Sequence, residues 1–116
     1  MIRLTALLQR NPSLSPEEFQ AHWRDTHAGL VSSVPGIRDW VVRYEQHPRL
    51  VQPGSWTGSE GYDGMAVQWF RSHDDLMAMI QDPAYRHRVS PDELRLLDMQ
   101  RCAFLVTTEP RIIIDD

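Results

Sequence analysis

Three serine-led segments punctuate the chain: Ser15-Pro16-Glu17-Glu18, Ser72-His73-Asp74-Asp75 and Ser90-Pro91-Asp92-Glu93. Each pairs a hydroxyl that can accept from the first free amides of a helix with acidic residues that suit the positive end of its dipole. Two of them add a proline, which is tolerated at the first helical position. Ser15 and Glu18 also have the spacing of a capping box. These signals predict a helix from about Pro16 to Ser33, stopped by Pro35-Gly36, a second through about Gln81, and a third, short one to about Met99. Between them lie "MIRLTALLQ", "IRDWVVRYEQH", "YDGMAVQWF" and "RCAFLVTTE", rich in the apolar, β-branched and aromatic residues that favour strands. The order strand, helix, strand, strand, helix with a helical extension, strand defines an α+β chain. It predicts a ferredoxin-like βαββαβ subunit whose antiparallel sheet is covered by helices on one face.

Such a sheet leaves its second face bare. In the third strand Met65, Val67 and Trp69 share one face and Ala66, Gln68 and Phe70 the other; in the second, Arg38, Trp40, Val42 and Tyr44 fall together. Neither strand offers a cleanly polar side, and the tail after residue 110, "RIIIDD", is too apolar to stand in water comfortably. A homodimer in which two sheets close on each other is therefore expected. The segment at 48–61, with two prolines and three glycines, reads as a long loop that closes over a pocket as a lid through Trp56, or forms a mobile surface hairpin or a dimer contact.

Composition narrows the function. With 116 residues and a hydrophobic fraction of 41%, the chain can build one core and little more. A net charge of −4, with basic residues interrupted by acids, supplies no concentrated basic surface, so nucleic acid is not expected as a partner. No run approaches the ~20 apolar residues of a membrane helix, and the N-terminus reads as a strand rather than a signal peptide. Cys102 is the only cysteine, which rules out an internal disulfide and makes a cytoplasmic location the simplest expectation.

The first helix carries the histidines that raise a question of chemistry. Its apolar stripe runs through Phe19, Trp23, Leu30 and Val34. His22 lies well off that stripe and is expected at the surface; His27, four residues after Trp23, sits at its border. Five residues of α-helix separate the two by roughly 140°, so they are not expected to share a ligand, and a metal site is not predicted. His27 is either a core histidine bonded to backbone or, tuned by partial burial, a proton-transfer group near neutral pH. Spacing alone does not decide between them.

The stretch "SPEEFQAHWRDTHAGLV", followed by "VPGIRDWVVRYEQH" and "YDGMAVQWF", closely resembles the EthD domain family over about residues 2–110. The resemblance implies a dimeric α+β barrel with a pocket in each subunit, and His27 as the histidine facing that pocket. It implies cofactor-free proton shuttling on a small, mostly apolar carbonyl, lactone or phenolic compound: an isomerase, cyclase or lyase with His27 as general base or acid. The alternatives are a non-catalytic small-molecule-binding accessory protein of a degradation pathway, or a haem-dependent oxygenase. Trp40, Tyr44 and Phe70 line the pocket or are plain core. A lactone-isomerase-like relative would place a reactive group where Gln68 stands, and glutamine is neither nucleophile nor base, although it can orient a carbonyl. Arg38 pairs with a carboxylate or lies at the rim. Asp98, late in the last helix, either orients His27 or is an exposed helix-end acid. Gly64, in "YDG", relieves backbone crowding.

Overall fold

A computed structural model describes residues 1–56 and 61–116. The chain runs β1 (Ile2–Leu8), α1 (Pro16–His22), a π-helical turn (Trp23–His27), α2 (Ala28–Ser32), α3 (Ile37–Trp40), β2 (Val41–Pro48), β3 (Gly64–Phe70), α4 (His73–Gln81), α5 (Pro83–Arg88), α6 (Ser90–Leu96), a short 3₁₀ turn and β4 (Ala103–Thr107). The sheet has the order β2-β3-β1-β4, and every neighbouring pair is antiparallel. This is the ferredoxin-like α+β fold expected from the order of elements.

Local chemistry sets the ends of the elements. The Ser15 hydroxyl accepts from the Glu18 amide at 3.0 Å, while the Glu18 carboxylate accepts from the Ser15 amide at 2.9 Å. Ser72 caps α4 in the same way, accepting from Asp75 N at 3.1 Å. The third signal behaves differently. Val89 occupies the cap of α6 without a side-chain bond, and Ser90 is already helical. The extension between α4 and α6 is a helix in its own right, capped by Asp82, whose side chain accepts from Tyr85 N at 2.9 Å.

Two boundaries differ from the sequence reading. Gly36 takes a left-handed φ of 77° and turns the chain into a single helical turn over Ile37–Trp40, so Arg38 and Trp40 do not belong to the second strand. A bulge between Val41 and Arg43 then shifts the register of β2 against β3. Residues 57–60 of the long loop lie outside the described residues; Trp56, just before them, is fully exposed and does not reach the core.

The helices pack on the sheet face formed by Leu4, Ala6 and Leu8 of β1 and their β3 partners. One buried cluster joins Val31, Val34 and Phe70 to Met79 and Val89; a second joins Phe19, Trp23 and Leu96 to Ala6 and Leu8. Full burial of a side chain such as Phe19 contributes about 3 kcal/mol. The two clusters flank a gap beneath the π-helical turn. β4 lies at the sheet edge where helical cover ends: on its helix-side face Phe104 is 50% exposed and Val106 44%.

Candidate active site

The π-helical turn builds the site. Ala28 N–H donates to Trp23 O, five residues back instead of four. That wider turn stacks residues five apart, which an α-helix would splay around its axis. His22 and His27 thereby face the same way, and both reach Asp92 of α6. His22 Nε2 lies 2.6 Å from Asp92 Oδ1, and His27 Nδ1 lies 2.8 Å from Oδ2. The expectations of a surface His22 and of divergent histidines both fail for this reason. The His22 side chain is only 34% exposed, and Asp92 is 2% exposed.

The expectation for Asp98 is corrected by the same geometry. The carboxylate against His27 comes from Asp92, near the start of α6, not from Asp98 beyond its end. Asp98 instead enters the 3₁₀ turn, its amide donating to Gln9 O at 3.0 Å and its carbonyl accepting from Arg101 N at 3.0 Å.

Electrostatics assign the protons. Desolvation pushes Asp92 up, but the bonds from His22 and His27 outweigh it and hold its pKa below the ordinary carboxylate value. An ionised carboxylate only accepts, so His27 carries its hydrogen on Nδ1. Burial lowers the His27 pKa more than Asp92 raises it, so the ring is neutral near pH 7. Its Nε2 then presents a bare lone pair and has no hydrogen-bond partner among the described residues. A neutral imidazole backed by a carboxylate has the protonation state of a general base.

His27 lines a cavity of about 70 Å³ between helices and sheet. Leu4, Ala6, Val31 and Leu96 make much of its wall apolar, and half-exposed Phe104 contributes at the β4 side. The polar groups that line it with His27 are Tyr44, Gln68, Glu93 and Tyr85. Tyr44 Oη accepts from Gln46 Nε2 at 3.4 Å, and burial raises its pKa, so it keeps its proton. The Gln68 amide makes no hydrogen bond within the described residues, although the residue is 9% exposed. Burial, with a smaller contribution from the Asp92 charge, pushes the Glu93 pKa up to about 7. Glu93 therefore keeps its proton to a pH well above that at which an ordinary glutamate ionises.

Of the residues expected around a substrate, Tyr44 and Gln68 meet His27 in this cavity; the others do not. Phe70 is fully buried in the first core cluster, and Trp40 packs against that cluster from α3. Arg38 lines a separate, more open groove of about 370 Å³ together with Arg43 and Arg71. That groove adjoins the cavity, for Val31 and Tyr44 line both.

Asp92 and Glu93 went unrecognised because acids in a first helical turn read as dipole-stabilising residues. Nothing in the sequence separates these two acids from ordinary first-turn carboxylates, because only the structure shows that Ser90 does not cap. Gly64 holds the site from below: a Cβ there would lie 2.7 Å from Trp23 Cζ3. Only glycine lets the indole at the start of the π-helical turn rest on β3. Among the described residues no group of three histidine, cysteine or acidic side chains is arranged to hold a metal ion.

The EthD domain family matches residues 11–100, and the chain belongs to it. Among characterised relatives it is similar to the dehydratase aurZ of Gibberella zeae, at 29% identity across 91% of this chain and 75% of that protein. It is also similar to the conidial pigment biosynthesis dehydratase EthD of Metarhizium robertsii, at 26% identity across 91% and 80%. Among solved structures, an EthD family protein from Bacillus halodurans superposes with a TM-score of 0.71 at 17% identity, covering 95% of this chain and 99% of the other. A dimeric ferredoxin-like protein from Bacteroides fragilis gives 0.66 at 12% identity, covering 91% and 93%. SnoaB, a cofactor-independent oxygenase from Streptomyces nogalater, gives 0.58 at 13% identity, covering 98% and 97%.

Proposed function

We propose that this protein is a cofactor-independent enzyme that works by proton transfer on a small, mostly apolar carbonyl, lactone or phenolic compound, as an isomerase, cyclase or lyase. The observation that carries the reading is the His27–Asp92 pair, with Nδ1 tied at 2.8 Å and Nε2 free beside an apolar cavity. His27 Nε2 takes a proton from a carbon next to a carbonyl; the C–H electron pair moves into an enolate. Asp92 stabilises the imidazolium that forms, and the Gln68 amide and Tyr44 hydroxyl are the neutral donors available to the enolate oxygen. The names of the two curated relatives favour loss of water among these reactions. A substrate larger than the cavity extends into the adjoining arginine-lined groove.

The working unit in this reading is a homodimer. Leu105, 64% exposed, and Phe104 leave apolar surface on both faces of the β4 edge, and relatives of the same fold are dimeric. A second copy covering that edge would also close the cavity beside Phe104.

The test is deuterium uptake in D2O by β-dicarbonyls, lactones and phenolic ketones, followed by NMR with wild type and His27→Gln. Exchange at the acidic carbon is expected with wild type and is expected to fall about a hundredfold or more in the variant. Equal exchange by both proteins would contradict the role of His27.

A further inference from the structure

Consecutive residues of α6 face different surroundings. Asp92 is sealed against the two histidines, while Glu93 projects into the cavity that His27 lines. The Glu93 carbonyl accepts from Leu97 N at 2.8 Å within the helix, but its carboxyl group has no hydrogen bond or ion pair with the described residues and is open to the cavity. Its polar surroundings are Tyr44 of β2, Tyr85 of α5, Cys102 before β4, the Asp92 charge on its own helix and neutral His27. None of these is a cation that would hold Glu93 ionised. A structural carboxylate in an apolar wall is costly unless paired, so an unpartnered one is placed for what enters the cavity.

We propose that Glu93 is a second catalytic residue, the general acid that hands its proton to a leaving hydroxyl, and that the site takes β-hydroxy carbonyl compounds. The inference rests on the reading of His27 as base. His27 Nε2 removes the proton α to the carbonyl and leaves an enolate; the enolate's electron pair then forms the C=C bond as the C–O bond at the β carbon breaks. Glu93 protonates the departing oxygen, so one water leaves and an α,β-unsaturated carbonyl remains. The imidazolium and the carboxylate left behind are restored when the proton on His27 returns to Glu93 through water. No electrons are gained or lost, and no cofactor enters the step. The neutral form that burial maintains up to about pH 7 supplies the acid, while lowering of the His27 pKa supplies the base at the same pH.

Diacetone alcohol provides the test: its dehydration yields the ultraviolet-absorbing mesityl oxide, and its α-methylene reports exchange in D2O. Wild type, Glu93→Gln and His27→Gln are compared by both readouts across pH. Glu93→Gln is expected to lose dehydration about a hundredfold or more while α-exchange falls far less, and the exchange that remains shows that the variant folds. Wild-type dehydration is expected to fall above about pH 7, and that limb is expected to be absent from the residual activity of the variant. Dehydration by Glu93→Gln at the wild-type rate would overturn the proposal while leaving His27 as base. Bound diacetone alcohol that wild type neither exchanges nor dehydrates would overturn the acid–base reading beneath it.

Discussion

Replacing Glu93 with glutamine has a consequence for stability that needs no substrate to measure. The glutamate pKa rises from the ordinary 4.5 to about 7 on folding, mainly because the cavity desolvates the carboxylate. At about 1.36 kcal/mol per unit, the shift amounts to about 3 kcal/mol. A raised folded-state pKa means that the native protein binds a proton which the unfolded chain has already released. The favourable contribution is complete below about pH 4.5 and is lost as pH rises through about 7. Glutamine has no such dependence. Glu93→Gln should therefore match wild type near pH 4.5 and become relatively more stable by up to about 3 kcal/mol by pH 8, a difference on the order of 10 °C in Tm for a domain of this size. Thermal unfolding by circular dichroism at intervals of pH, on both proteins, reads this directly; every other ionisable group is common to the two proteins and largely cancels. A stability difference that stays flat from pH 5 to pH 8 would refute the placement of an unpartnered carboxyl in the cavity.

Asp92→Asn should reduce α-proton exchange about a thousandfold or more while leaving the fold intact, because the asparagine amide donates where the carboxylate accepted. It thereby favours the tautomer of His27 with hydrogen on Nε2; the NMR exchange assay checks it, and wild-type rates would contradict it. Gly64→Ala should destabilise by about 1–3 kcal/mol, since its methyl meets the Trp23 ring at 2.7 Å and the His47 carbonyl at 3.1 Å; urea denaturation measures the loss. Asp63→Asn should cost about 2 kcal/mol by the same measurement, because the buried carboxylate accepts from Arg10 Nη1 at 2.8 Å and from the Arg10 amide at 2.9 Å.

The fold was legible because its signals are local. Ser15 with Glu18, Ser72 with Asp75 and the four apolar segments each act within a few residues, and together they order the elements. The boundaries that moved also have local causes, but ones that depend on backbone geometry: the left-handed Gly36 creates α3, and it takes Arg38 and Trp40 out of β2. The site was only half legible. His27, Tyr44 and Gln68 could be reached from resemblance and strand parity. Phe70 shares that parity, yet it lies where helical packing closes completely, and parity carries no information about depth. Asp92 was hidden for a different reason. Its role depends on one extra residue in a helical turn some 65 positions away, which converts a 140° separation of His22 and His27 into a shared acceptor. Nothing in the spacing H-x₄-H announces such a turn.

In the proposed mechanism His27 is a neutral base with its proton on the Asp92 side. Two-dimensional ¹⁵N–¹H NMR of the histidine side chains, recorded from pH 5 to pH 8, tests it most directly. His27 is expected to show the neutral tautomer protonated at Nδ1 at pH 7, a titration midpoint below the ordinary 6.5, and a bare Nε2. A His27 that is imidazolium at pH 7, or neutral with its hydrogen on Nε2, would rule out its role as the base.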